Sequence, residues 1–145
     1  MTAPVAPARD ALERVTVLIV TFNSAHCIEA LARGLAGVPN VIVVDNASAD
    51  DTCERVRSLM PAARLISMPA NRGFGAANNA ALAEVATEFA LLLNPDCLTD
   101  TAQIAALVEA MQAWPEATLA VPQLTDASGQ LQVNYSWPRD AWTPT

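Results

Sequence analysis

Residues 15–20 read Val-Thr-Val-Leu-Ile-Val and residues 41–44 read Val-Ile-Val-Val. A polar group follows each run: Thr21-Phe22-Asn23 after the first, Asp45-Asn46-Ala47-Ser48 after the second. Both runs are short, apolar and rich in β-branched residues, the pattern of strands buried on both faces. Between them, Ile28, Leu31, Ala32 and Leu35 share one face of a helix predicted over Ala25 to Ala36, with Ser24 as its cap. Gly34, Gly37 and Pro39 end it. Two buried strands joined by a helix make a parallel crossover unit.

The pattern continues outward. Ser48 with Asp51 resembles a capping box for a helix that stops before Pro61. Arg64 to Met68 is a third strand, Phe74 to about Val85 an alanine-rich helix, and Phe89 to Leu93 a fourth strand stopped by Pro95. Asp100 with Gln103 opens a helix to about Trp114. Ala117 to Val121 reads as a fifth strand, Thr125 to Gly129 as a turn, and Leu131 to Tyr135 as a returning strand. Residues 1–12 read as a flexible N-terminal arm, 13–138 as one domain and 139–145 as a tail. The alternation predicts an α/β fold: a doubly wound, mainly parallel sheet with helices on both faces.

Composition removes many functions. The 145 residues suit one domain, and 52% apolar against 16% charged excludes a disordered chain. A net charge of −7 does not suit a nucleic-acid surface. No apolar run reaches the roughly 18 residues of a membrane span, and the N-terminus lacks a signal-peptide pattern. There is no lysine, which excludes the P-loop and Schiff-base lysines. The single His26 falls in the first turn of a helix and reads as a surface residue. Cys27, Cys53 and Cys97 form no CxxC pair and read as reduced thiols of a cytoplasmic protein, with Cys97 a buried one.

In doubly wound sheets, ligands bind beyond the carboxyl ends of the strands. Four successive strands here send polar groups to that edge. Asp45 can accept from a ligand ring N–H or a ribose hydroxyl; the plainer alternative is a helix cap shared with Ser48. Asp96 of Asn94-Pro95-Asp96 can hold a hard divalent cation, with Asn94 or water completing the shell, or the triplet is a simple turn. In Asn71-Arg72-Gly73-Phe74-Gly75 the glycines permit close backbone approach, and Arg72 is a candidate anion contact. Asn78 and Asn79 lie early in an apolar helix, as ligand or network groups or facing solvent. A nicotinamide-dinucleotide site is disfavoured, because the turn after the first strand has no glycine. A metal-dependent hydrolase would want more carboxylates clustered near Asp96.

Four segments in order resemble the family 2 glycosyltransferases: residues 15–23, 41–48, Asn71-Arg-Gly-Phe-Gly-Ala-Ala-Asn-Asn79 and Leu91-Leu-Leu-Asn-Pro-Asp96. The rhamnosyltransferase-like branch, with Asn-Pro-Asp where others carry Asp-x-Asp, is the nearest in pattern, and residues 122–132 look like the region that follows its metal motif. The resemblance runs over about residues 15–138. It implies a GT-A fold, incomplete at the C-terminal end, and a pyrimidine nucleotide-sugar donor such as dTDP-rhamnose or a UDP-sugar. It also implies a divalent cation, Mg2+ or Mn2+, held by Asp96. Thr21, Phe22 and Asn23 would flank base and ribose, Asp45 would bind the pyrimidine ring beside Asn46, and Asn71, Arg72 and Gly73 would border the nucleotide. Asn94 and Asp96 would meet the diphosphate. The reaction would be inverting transfer to the hydroxyl of a saccharide or lipid-linked acceptor, in the cytoplasm or at the inner face of the membrane.

The family's downstream catalytic base has no evident counterpart. The carboxylates after Asp96 are Asp100, Glu109, Glu116, Asp126 and Asp140, none in the expected context, so the base is left unassigned. The chain reads as the donor-binding portion of a transferase. The alternative is a non-catalytic nucleotide-sugar-binding or partner module of the same fold. In either case the C-terminal edge, near Tyr135 and the tail tryptophans, would suit a second chain or a homo-oligomer.

Overall fold

The computed structural model describes residues 6–126 and 128–132. Four strands form one parallel sheet: β1 (Val15–Thr21), β2 (Val41–Asp45), β3 (Arg64–Ser67) and β4 (Phe89–Leu93), in the order β3-β2-β1-β4. The connecting helices are α2 (Ile28–Gly34), α3 (Thr52–Leu59) and α4 (Phe74–Leu82), with α1 (Ala6–Glu13) before the sheet and α5 (Thr101–Ala113) after it. The first strand is therefore central, and the chain steps outward to β3 before crossing back to β4.

Burial follows position. Every residue of β1 and β2 is buried, whereas β3 and β4 are partly open. One face, carrying Val17, Ile19, Val41 and Val43, packs on Ile28 and Leu31 of α2, Val56 of α3 and Ile104 and Val108 of α5. The opposite face, with Leu18, Val20, Ile42 and Val44, packs on Ala77 and Ala81 of α4. Alanines there let α4 lie close to the strands. Side chains alternate along a strand, so Leu92 turns to the α4 side. It stays 50% exposed, because α4 rests on β1 and β2.

The α/β, doubly wound expectation is met, and the differences are local. The stretch 1–12, read as an arm, folds from Ala6 into α1, because Ala11 and Leu12 bury themselves against the shared core. The second helix begins at Ile28, not Ala25, and Ser24 does not cap it: its hydroxyl bonds within the preceding loop, to Phe22. Ser48 does not cap α3 either. Asp100 does cap α5, accepting from the Gln103 amide at 2.8 Å. No strand forms over Ala117–Val121. Leu119 and Val121 are 78% and 75% exposed, and among the described residues β4 pairs with β1 alone. A short antiparallel hairpin, β5 (Leu124–Thr125) and β6 (Leu131–Gln132), flanks the Asp126–Gly129 turn instead. Tyr135 and the tail lie outside the described residues.

Candidate functional site

The strand register sets the geometry of the carboxyl edge. Thr21 is level with Asp45, and Asp45 with Ser67. Leu93 is level with Ile19, so the Asn94 loop leaves the sheet on the other side of β1. All four polar segments thus meet along one edge, with the β1 loop in the middle.

The β1 and β2 loops are stitched together. The Asn23 amide donates to Ser48 Oγ at 2.9 Å, and the Ala49 amide donates to Asn23 Oδ1 at 2.9 Å. The Ser24 amide donates to Thr52 Oγ1 at 2.9 Å, and the Ala25 amide to Asp50 Oδ2 at 3.3 Å. Asn23 and Ala47 both sit in the left-handed backbone region, at φ 51° and 65°. An L residue pays about 1–2 kcal/mol for that conformation, and the surrounding hydrogen bonds hold it.

Asp45 is 2% exposed. Its Oδ1 accepts from Thr21 Oγ1 at 3.1 Å and from Ser48 Oγ, and its Oδ2 from the Ser48 amide at 2.9 Å. Burial alone would raise its pKa. The bonds from Ser48, with help from Cys53 and Thr21, outweigh that and hold the carboxyl below its ordinary value. The Cys53 thiol is pushed up, by burial and then by Asp45. Asn46, 3% exposed, works in the other direction: its Nδ2 donates to Asn71 Oδ1 at 2.8 Å, and its Oδ1 accepts from the Arg72 amide at 3.0 Å. Asn71 Oδ1 also accepts from the Gly73 amide at 2.9 Å, where Gly73 (φ 84°) turns the chain into α4.

The groups that face outward are different ones. Phe22 is 50% exposed, and Asn23, Asn71, Arg72, Asn94 and Asp96 are exposed. Arg72 makes no ion pair, and the Asp96 carboxylate accepts no hydrogen bond, among the described residues. Asp96 lies near both Cys27 and Cys97. Burial first, and then the Asp96 charge, pushes both thiols up. Cys97 is half-buried, more open than the sequence suggests, and His26 is exposed as expected. Asn78 is 5% exposed and turns back to its own helix, its Nδ2 donating to the Phe74 carbonyl at 3.0 Å, while Asn79 is exposed. Ser48, Asp50 and Thr52 were absent from the site residues expected from sequence. The signal for them was the run of hydroxyl and carboxylate side chains over 48–52, which capping chemistry explains equally well.

Residues 16–140 match the family model described as glycosyl transferase family 2. The chain belongs to this family. As a family 2 member it is 26% identical over 159 aligned residues to the N-acetylglucosaminyl-diphospho-decaprenol L-rhamnosyltransferase of Mycobacterium tuberculosis, an alignment covering 88% of this chain and 52% of that protein. It is 38% identical over 95 residues to the succinoglycan biosynthesis protein ExoO of Rhizobium meliloti, covering 62% of this chain and 27% of ExoO. The chain thus spans about half the length of the first relative and about a quarter of the second. Glucosyl-3-phosphoglycerate synthase of M. tuberculosis, crystallised with Mn2+ and UDP-glucose, superposes with a TM-score of 0.63 at 21% identity, over 80% of this chain and 45% of that one. TarS of S. aureus (residues 1–349) superposes with a TM-score of 0.60 at 23% identity, over 76% and 38%. These likenesses agree with the GT-A sheet expected for this family 2 chain.

Proposed function

We propose that this chain is the donor-binding portion of a glycosyltransferase that takes a pyrimidine nucleotide-sugar. The observation that carries the reading is the grouping of outward-facing side chains on one sheet edge: an aromatic ring at Phe22, an amide at Asn23, and a cation at Arg72 and a carboxylate at Asp96 that make no ion pair among the described residues. The ring offers a stacking surface for a base. Arg72 offers a charge-assisted contact to a phosphate.

Among the described residues no three His, Cys, Asp or Glu side chains cluster as a metal cage. The donor set at β4 is one carboxylate with the Asn94 amide two residues away. That set fits a Mg2+-like cation, which binds through one or two carboxylates and takes its other oxygens from water and substrate phosphates. When bound, such a cation would offset charge on the leaving diphosphate. Asp96 and Asn94 would hold it, and Arg72 would meet the diphosphate from the β3 side.

The rhamnosyltransferase relative favours a rhamnose donor, of which dTDP-rhamnose is the form tested, and the glucosyl-3-phosphoglycerate synthase neighbour, crystallised with UDP-glucose, favours a UDP-sugar, so both bases enter the test. Transfer to a saccharide or lipid-linked acceptor needs a general base. Asp100 is engaged as a helix cap, and Asp126 binds the Ser128 and Gln130 amides of its own turn. Neither is free to turn toward an acceptor, and no base is assigned among the described residues. That same observation favours a second reading, a module that binds donor without turning it over. No helix among the described residues is long and apolar enough to cross a membrane.

The test is a thermal-shift titration with UDP and dTDP, with and without Mg2+ or Mn2+. A ligand at 100 times its Kd adds about 2.7 kcal/mol, roughly 8 °C for this size. A metal-dependent rise is the expected result, and no rise with either nucleotide would contradict donor binding. Addition of the sugar nucleotides then separates the two readings, since only a transferase releases UDP or dTDP.

A further inference from the structure

The Asp96 carboxylate has no side-chain hydrogen bond among the described residues, so its placement follows the backbone of its loop. That backbone is fixed at two points. The Cys97 amide donates to the Asn94 carbonyl at 3.1 Å, closing Asn94-Pro95-Asp96-Cys97 into a turn, and Pro95 locks one of the turn's central φ angles. Three residues beyond Asp96 the chain lies against α2: a Cβ on Gly34 would stand 2.3 Å from the Thr99 carbonyl oxygen. Asp100 then caps α5. Gly34 is the last residue of α2 and its backbone is not left-handed, so no turn calls for glycine there. Glycine also weakens a helix relative to alanine. What calls for it is the close approach of the Thr99 backbone. We infer that Gly34 is a positioning residue for the cation side of the donor site: by admitting the Thr99 carbonyl against α2, it sets where Asp96 stands.

This role rests on the donor-binding reading above and deepens it. A Mg2+-like cation held by Asp96 and Asn94 tolerates little departure from octahedral geometry. A methyl group added at position 34 meets the Thr99 carbonyl, which is backbone and cannot swing aside as a long side chain would. The loop must shift instead, and Asp96 is only three residues away. The loops after β1, β2 and β3 are tied to one another by hydrogen bonds in which the Asp96 loop takes no part. Gly34 therefore governs the metal-dependent part of nucleotide binding and leaves the nucleoside part as it is.

The experiment measures uridine and UDP affinity, each with and without Mn2+, well below each variant's melting temperature. Exchange of the Cys97 amide is followed in the metal-free proteins. The proteins are wild type, Gly34→Ala, Pro95→Ala and Ala32→Gly. Ala32→Gly weakens α2 without adding an atom against Thr99, and Pro95→Ala loosens the Asp96 turn with α2 intact. Mn2+ should tighten UDP on wild type about tenfold. That gain should fall to about twofold in Gly34→Ala and about fivefold in Pro95→Ala, the scale expected of a small misplacement. Uridine should bind every variant as it binds wild type. Ala32→Gly should keep the whole Mn2+ gain at a lowered Tm, and Cys97 exchange should quicken only in Gly34→Ala and Pro95→Ala. A whole Mn2+ gain in Gly34→Ala would overturn the inference. So would an equal loss in Ala32→Gly or a matching loss of uridine affinity, either of which makes Gly34 a stability element. If Gly34→Ala does not fold, Pro95→Ala decides: a whole gain despite quickened Cys97 exchange would show that loop position does not set the cation site. If wild type shows the Mn2+ gain and these variants keep it, this inference alone falls. If wild type binds UDP no tighter with Mn2+, the cation reading of Asp96 falls and takes the role of Gly34 with it.

Discussion

On the β2 side of the carboxyl edge, Asp45 and Asn46 are 2% and 3% exposed and their side chains are committed to neighbours. On the β4 side, with two strands lying between it and the β3 loop that holds Asn46's partners, Asn94 and Asp96 are exposed, and β4 itself is half open along the face that carries Leu92. The first region is preformed: its loops are tied to one another before any ligand arrives. The second is an open carboxylate just beyond an edge strand, with no side-chain hydrogen bond among the described residues to hold it. Substitutions should therefore cost stability on the β2 side and ligand response on the β4 side.

The largest expected effect is Asp45→Ala. It strands the Thr21 hydroxyl and the Ser48 amide and hydroxyl without their acceptor, a loss of about 3 kcal/mol, to be read from urea unfolding. Acid should expose the same carboxylate. Its folded pKa lies below the ordinary 3.8, so the unfolded state takes up its proton first as pH falls. The stabilisation is complete above pH 3.8 and is lost as pH drops through the lower, folded value. Asp45→Asn should flatten that part of the stability–pH curve, and an unaltered acid limb would break the contrast.

Gly34→Ala comes next and probes the seam between the regions. A Cβ on Gly34 of α2 would stand 2.3 Å from the Thr99 carbonyl oxygen, on the loop that leaves Asp96. Backbone must move, costing about 2 kcal/mol, and the metal-dependent nucleotide response should fall with it. Asp100→Ala removes the α5 cap just beyond that loop for about 1 kcal/mol, measurable as a lowered Tm. Asp96→Ala should change stability by less than about 0.5 kcal/mol and abolish the metal-dependent part of nucleotide binding. A large drop in Tm for Asp96→Ala would erase the difference between the two sides.

The parallel sheet was legible because β1 and β2 are continuous apolar runs whose residues are buried on both faces. The edge was legible because such a sheet collects its loops at one end. Ala117–Val121 misled because apolar β-branched composition does not supply a partner strand. Residues 6–12 misled because Ala and Pro read as loose until Ala11 and Leu12 find the core. Within the edge, the residue types pointed to polar chemistry but could not say which groups face inward. Asp45 draws notice from its position after four apolar residues, but only the register with Thr21 and the turn at Ala47 show that its oxygens also accept from Thr21 and Ser48. Ser48 carries the same ambiguity, since a hydroxyl three residues before an aspartate reads as a cap.

The most direct measurement of the account is a calorimetric titration of the chain with uridine and with UDP, each with and without Mn2+. A preformed nucleoside side and a cation-completed diphosphate side predict uridine binding that ignores the metal and UDP binding at least about tenfold tighter with it, some 1.4 kcal/mol. UDP affinity that is the same with and without Mn2+, or uridine affinity that depends on it, would contradict that division of the edge.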